Sequence, residues 1–166
     1  MVALTKIGKE GITGISNSAD ATAITIDSSE RVLMPSQPSF CATGSWSYDS
    51  SKYWKAWSTI DHNIGSHWNN TTGTFTCPVA GRYFIGASVH HSTASTYHLW
   101  AFVKNGGAFN GWVQDYNGSS SGENTTASMA VINCSANDTL RFISNATYAN
   151  AYTSGDYSVI CIYLVG

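Results

Sequence analysis

The sequence predicts an all-β sandwich, and three observations carry that prediction. No window of the 166 residues holds a sustained helical stripe of apolar side chains. Short runs alternate instead, so that Tyr83, Ile85, Ala87 and Val89 share one face of a strand. Clusters of Gly, Asn, Ser and Asp separate the runs, and these residues tolerate the backbone angles of tight turns.

Composition narrows the class of function. Charged residues make up 11% of the chain, aromatics 13%, and the net charge is −2. An average soluble domain is ~25% charged, so this surface suits another subunit or an uncharged partner. The balance lacks the basic footprint of a protein that binds nucleic acid or an anionic membrane. No stretch reaches the ~20 apolar residues of a spanning helix. The opening "MVALTKIGKEG" has Lys6, Lys9 and Glu10 where a signal peptide would be apolar. Cys41, Cys77, Cys134 and Cys161 are widely spaced and form no CxxC pair. Without a secretion signal, free buried thiols are the expected state; disulfides are the alternative for a protein that works outside a cell.

Residues 1–37 read as an arm. The arm is rich in Ser, Thr and Ala, with Ile12 and Ile15 ahead of an alternating piece that holds Ile24 and Ile26. A turn at Asp27 to Glu30 then leads to Val32, which predicts a hairpin too small to fold alone. These five apolar residues are the candidate anchor to a partner surface. Pro35 and Pro38 punctuate the junction, and the main domain spans residues 38–166.

In that domain, "SWSYDSSKYWKAWS" concentrates Trp46, Tyr48, Tyr53, Trp54 and Trp57 beside Asp49, Lys52 and Lys55. Exposed Trp and Tyr stack on sugars and dominate interfaces, so these five are the candidate ligand contacts. The competing reading, favoured by the usual burial of tryptophan, packs the rings at the end of the sandwich or between subunits. A second aromatic stretch, Trp112 to Tyr116, carries the same pair of readings.

The stretch "GTFTCPVAGRYF" raises the question of a reactive Cys77. No second cysteine lies within loop reach, and no Lys or His follows directly to stabilise a thiolate. A strand, a turn set by Pro78 and Gly81, and a second strand is the stronger reading. His90 and His91 are adjacent and point to opposite faces of a strand, so with His98 they predict no metal site. No GxSxG elbow or other ordered catalytic motif is present. The expectation is a protein that is not an enzyme, with no catalytic residue, cofactor or metal.

The later strands follow in order. Leu99, Ala101 and Val103 oppose Trp100 and Phe102, and Asn105-Gly106-Gly107 closes that strand with a hairpin signal. Met129 to Cys134 runs into a turn at Ala136-Asn137-Asp138, and Leu140 to Ile143 comes next. In "DYSVICIYLVG", Val159, Cys161, Tyr163 and Val165 share one face while Ile160, Ile162 and Leu164 share the other. A strand apolar on both faces is buried on both. The sandwich core covers one face, and a neighbouring subunit is the simplest cover for the second. Tyr157, Val159, Cys161, Tyr163 and Val165 are therefore the candidate intersubunit residues.

Several motifs agree with one family in sequence, spacing and order. "PSFCATGS" suits an opening strand. Asn63, Ile64, Gly65, His67 and Trp68 then precede Gly73, Phe75, Cys77, Pro78, Val79, Gly81 and Tyr83, with Phe84 one place from the family's usual Phe. "AFVKNGG", "ASMAVINCSANDTLRF" and "DYSVICIYLVG" match later strands. Over residues 38–166 the chain resembles the globular head of complement C1q and its tumour-necrosis-factor-like relatives. The resemblance implies a ten-stranded antiparallel jelly-roll sandwich and a tight homotrimer around the C-terminal strands. The usual Phe-x-Gly-x-Leu of the last strand, the collagen stalk and the acidic calcium cluster of some members are absent from the sequence.

The arm text "ATAITIDSSERVLMPSQPSF" resembles segments placed ahead of C1q-like heads in tailed-phage virion proteins. Together the two resemblances imply a non-enzymatic virion-surface protein, made in the host cytoplasm. Its leading form is a trimeric capsid decoration (cement) protein whose arm binds the major capsid protein while the knob projects outward. The alternative is a receptor-binding tail-fibre tip whose arm joins a stalk and whose aromatics grip host glycan.

Overall fold

The computed structural model of the chain describes residues 25–26, 29, 32–33, 36–91, 96–117, 124–145 and 158–166. The chain divides into two units, Met1–Pro35 and Ser36–Gly166. In the first, β1 (Thr25–Ile26) and β2 (Val32–Leu33) pair antiparallel with Ile26 opposite Val32. The expected hairpin is therefore present. Ile12, Ile15 and Ile24 lie outside the described residues.

The second unit opens with β3 (Ser39–Thr43), β4 (Ser47–Tyr48), β5 (Trp54–Lys55), β6 (Thr59–Ile64), β7 (Trp68–Asn69) and β8 (Thr74–Thr76). Longer strands follow: β9 (Gly81–His91), β10 (Thr96–Lys104), β11 (Gly107–Asn117) and β12 (Asn124–Cys134). The unit ends with β13 (Thr139–Ser144) and β14 (Val159–Leu164). One five-stranded sheet has the order β11-β10-β13-β8-β7, the other β12-β9-β14-β3-β6, and β4 pairs with β5 as a separate ribbon. The pairings are antiparallel throughout. Ten strands in two sheets make the all-β jelly-roll sandwich that the sequence predicts.

Alternation sets which side chains meet between the sheets. Tyr83, Ile85, Ala87 and Val89 of β9 and Ile160 and Ile162 of β14 are buried against Leu140 and Phe142 of β13 and Trp100 and Phe102 of β10, all within one core cluster. Aromatic rings fill most of the gap. Phe40 stacks on Trp68 at 4.3 Å, and Phe75 meets Tyr83 edge-on at 5.9 Å. Offset or edge-on pairing suits the ring quadrupoles.

Local chemistry fixes the turns. Asn105 (φ 50°) and Gly106 (φ 84°) join β10 to β11, where a two-residue hairpin turn needs positive φ at both places. The Asn63 side chain accepts from the Trp68 amide at 3.0 Å and donates to the Trp68 carbonyl at 2.9 Å. Asn63 thereby clamps the loop between β6 and β7, which explains the "NIGSHW" motif. Asn69 and Asn70 are used locally too: the Asn69 carboxamide accepts from Thr71, and that of Asn70 accepts from the Trp57 amide.

The "GTFTCPVAGRYF" stretch carries the chain from β8 in one sheet to β9 in the other, and the Tyr83 hydroxyl donates to the Val79 carbonyl at 2.9 Å. It is a strand, a turn and a strand, with Cys77 fully buried. The expectation of four free thiols needs correction. Cys41 and Cys161 are direct cross-strand partners on β3 and β14 and are disulfide-bonded, their Cα atoms 4.2 Å apart. They are 120 positions apart in sequence, so only the strand order brings them together. Cys77 and Cys134 are free and buried.

Candidate assembly face

Paired residues in an antiparallel ladder share a face, so the register of the β12-β9-β14-β3-β6 sheet lays out its outer surface in rows. One row runs Met129, Gly86, Cys161, Cys41, His62. On one side lies Val131, Phe84, Tyr163, Ser39, Ile64; on the other, Ala127, Ser88, Val159, Thr43, Thr59. Arg82 and Asn133 form the next row beyond Phe84.

The three central rows are apolar or small for most of their length. Met129 is 70% exposed and Val131 57%. The rings of Phe84 and Tyr163 lie 6.2 Å apart, and those of Tyr163 and His62 5.6 Å apart, forming an aromatic ladder across the face. Beside the ladder is a groove of about 210 Å³ lined by Phe84, Gly86, Ala127, Met129, Val159 and Cys161. Gly86 forms its floor. A Cβ there would come within 2.9 Å of the Phe84 ring, which folds across the glycine.

The sequence-derived intersubunit residues fall here. Val159, Cys161 and Tyr163 project from β14 onto this face, while Ile160 and Ile162 point into the core. Val165, just past the strand, is 51% exposed, and Tyr157 lies outside the described residues. Met129, Val131 and Phe84 were not singled out from the sequence. Their signal was present: Ala127, Met129 and Val131 alternate with Ala130, Ile132 and Cys134, so β12 is apolar on both faces like β14.

The candidate ligand contacts are placed otherwise. Trp46, Trp54 and Trp57 are all in the core, as the favoured packing reading expects, which removes these three as candidate solvent-facing ligand contacts. Trp54 stacks on Phe142 at 5.5 Å, its ring lies 4.7 Å from that of Trp46, and its Nε1–H donates to Ser144 Oγ at 2.7 Å. A tryptophan buries ~150–250 Å², and the segment around β4 and β5 spends that area filling the sandwich. Tyr48 and Tyr53 are half-buried, and each has a cation over its ring: Lys52 Nζ at 4.3 Å and Arg141 at 3.5 Å. The side chains of Trp112 and Tyr116 lie outside the described ones.

Cys77 lacks the environment of an activated thiolate, and the described histidines are not gathered at one site. Burial pushes the Cys77 thiol far above the ordinary range, with further upward contributions from Cys134 and Asp138. His90 is buried, and the His91 and His98 side chains are outside the described ones. Among the described residues no group of three or more His, Cys, Asp or Glu could hold a metal ion.

The match to known proteins runs through this same frame. The family model for the C1q domain matches residues 40–164. The chain belongs to the C1q-domain family. No curated protein sequence matches it. The globular domain of zebrafish complement 1qA is similar in structure, with a TM-score of 0.59 and 17% sequence identity. The likeness covers 78% of this chain and 98% of the zebrafish domain, which at that identity speaks for the fold. C1q domains are typically non-enzymatic binding domains and commonly form homotrimers.

Proposed function

We propose that this C1q-domain protein is a non-enzymatic homotrimeric knob, assembled through the outer face of the β12-β9-β14-β3-β6 sheet and mounted by residues 1–37 on a larger particle. The observation that carries this reading is the apolar face itself. A sheet side with Met129, Val131, Phe84 and Tyr163 in register is costly to leave in water, and a second copy offers a matching surface. The mount proposed is the capsid of a tailed phage, with the protein at the virion surface as a decoration (cement) protein on the major capsid protein. Strand addition by the β1–β2 hairpin, with Ile26 and Val32, would supply the attachment.

Deleting residues 1–35 tests the mounting. The truncated head should remain a folded trimer and fail to bind particles; retained binding would refute the anchoring role. Imaging of labelled protein on virions separates the two mounts. Copies spread over the shell fit decoration, and copies confined to the tail favour the fibre tip.

A further inference from the structure

Cys77 and Cys134 come from opposite sheets. Cys77 follows β8 of one sheet and Cys134 ends β12 of the other, and among the described residues no ladder joins the two sheets. At this end of the sandwich the segments are tied by backbone bonds. The Cys77 amide donates to the Asp138 carbonyl at 2.8 Å, and the Asn137 amide donates to the Cys77 carbonyl at 2.7 Å. The Cys77 and Cys134 thiols are close enough to perturb each other electrostatically. Two free, buried thiols are thus placed side by side at this end of the sandwich.

The surroundings make the pair unequal. Cys77 is fully buried, whereas Cys134 is 6% exposed beside the open turn at Ser135, Ala136 and Asn137. The Lys104 ammonium sits at the rim, donating to the Asn133 carbonyl at 2.7 Å and lying 2.9 Å from Asp138. Burial raises both thiols, Asp138 raises and Lys104 lowers each, and the two differ in that Cys134 pushes Cys77 further up while Cys77 acts on Cys134 in the opposite direction.

We propose that Cys77 and Cys134 are a redox-modification site: Cys134 reacts with a small disulfide oxidant, and Cys77 resolves it to give an inter-sheet disulfide. With oxidised glutathione the Cys134 thiolate attacks one sulfur, the glutathione S–S bond breaks, and one glutathione leaves as thiolate to take up a proton. The Cys77 sulfur, losing its proton, then attacks Cys134 in the mixed disulfide and releases the second glutathione as thiol. Two electrons and two protons pass from the protein to the oxidant. Brief opening of the exposed turn admits the reagent, so the reaction is slow compared with that of a surface thiol.

The test uses the full chain, treated with oxidised glutathione at mildly alkaline pH, then denatured, alkylated and mapped by mass spectrometry. Cys77 and Cys134 should both be alkylated before oxidation and joined to each other afterwards. The oxidised protein should melt higher by about 5–10 °C, because the new bond closes a loop between sheets. Cys77→Ser should stop at glutathionylated Cys134, and Cys134→Ser should leave Cys77 unmodified. If both thiols of the folded wild-type chain stay alkylatable after prolonged exposure, or if Cys134 stops at the mixed disulfide with Cys77 intact, the proposal is overturned. A Cys134→Ser protein that is modified at Cys77 at the wild-type rate would overturn the assigned order.

Discussion

Replacing Met129 with Asp should dissolve the trimer while leaving each head folded. In the single chain the Met129 side chain is 70% exposed, so its removal takes away little that holds the monomer together. Surface changes of that kind usually stay within ~0.5 kcal/mol. In the proposed trimer the same side chain is buried against a neighbour. Full burial of a Met stabilises by ~1.5–3 kcal/mol, so covering the remaining exposed part contributes about 1–2 kcal/mol per protomer. Three protomers give about 3–6 kcal/mol, and at ~1.4 kcal/mol per tenfold this corresponds to roughly 10²–10⁴ in the assembly constant. A carboxylate in that position adds a desolvation cost in the same direction. Sedimentation velocity over a concentration series reads the assembly constant, and thermal melting at low concentration reads the monomer. An unchanged assembly constant in a folded Met129→Asp protein would refute the reasoning.

Two other perturbations address the core and the acid response. Trp54→Ala removes the stack on Phe142 and the bond to Ser144 and should cost ~3–5 kcal/mol, lowering the melting temperature by roughly 10–15 °C; a stable variant that merely loses ligand binding would restore Trp54 as a contact residue. Asp138 accepts from Asn105, Lys104 and the Ser135 amide, in that order of effect, and these hold its pKa down at about 2. Its folded value is below the ordinary ~3.9, so its contribution is present above pH ~4 and is lost as pH falls toward ~2. Melting temperatures across that window should fall less steeply for Asp138→Asn than for wild type, and parallel slopes would contradict the assignment.

How far the sequence discloses the fold depends on the range of the interaction. β9 was legible because its alternation is local, and the Asn105-Gly106 turn because positive φ is a property of those two residues. The doubly apolar β14 disclosed an outer apolar surface, since one sandwich core can cover only one side of a strand. The other half of that surface, Met129 and Val131, carried the same signature in β12, but that run is read only as a strand leading into a turn and its two-sided pattern is not followed. Pattern alone could not say whether a cluster of tryptophans faces water, because burial of Trp46, Trp54 and Trp57 depends on where the β4–β5 ribbon folds back. The cysteine pairs were illegible for a similar reason. Cys41 meets Cys161 only through the β3-β14 neighbourhood, and Cys77 meets Cys134 only because β8 and β12 end at the same edge of the sandwich.

Hydroxyl-radical footprinting of the full-length protein, monomer against assembled form, tests the assembly face most directly. The predicted assembly has the mass of three 17.8 kDa chains. On forming it, Met129, Val131 and Phe84 should become protected, while Val79, exposed in the turn between β8 and β9, should react equally in both forms. A trimer in which Met129 and Val131 stay as reactive as in the monomer would contradict the account.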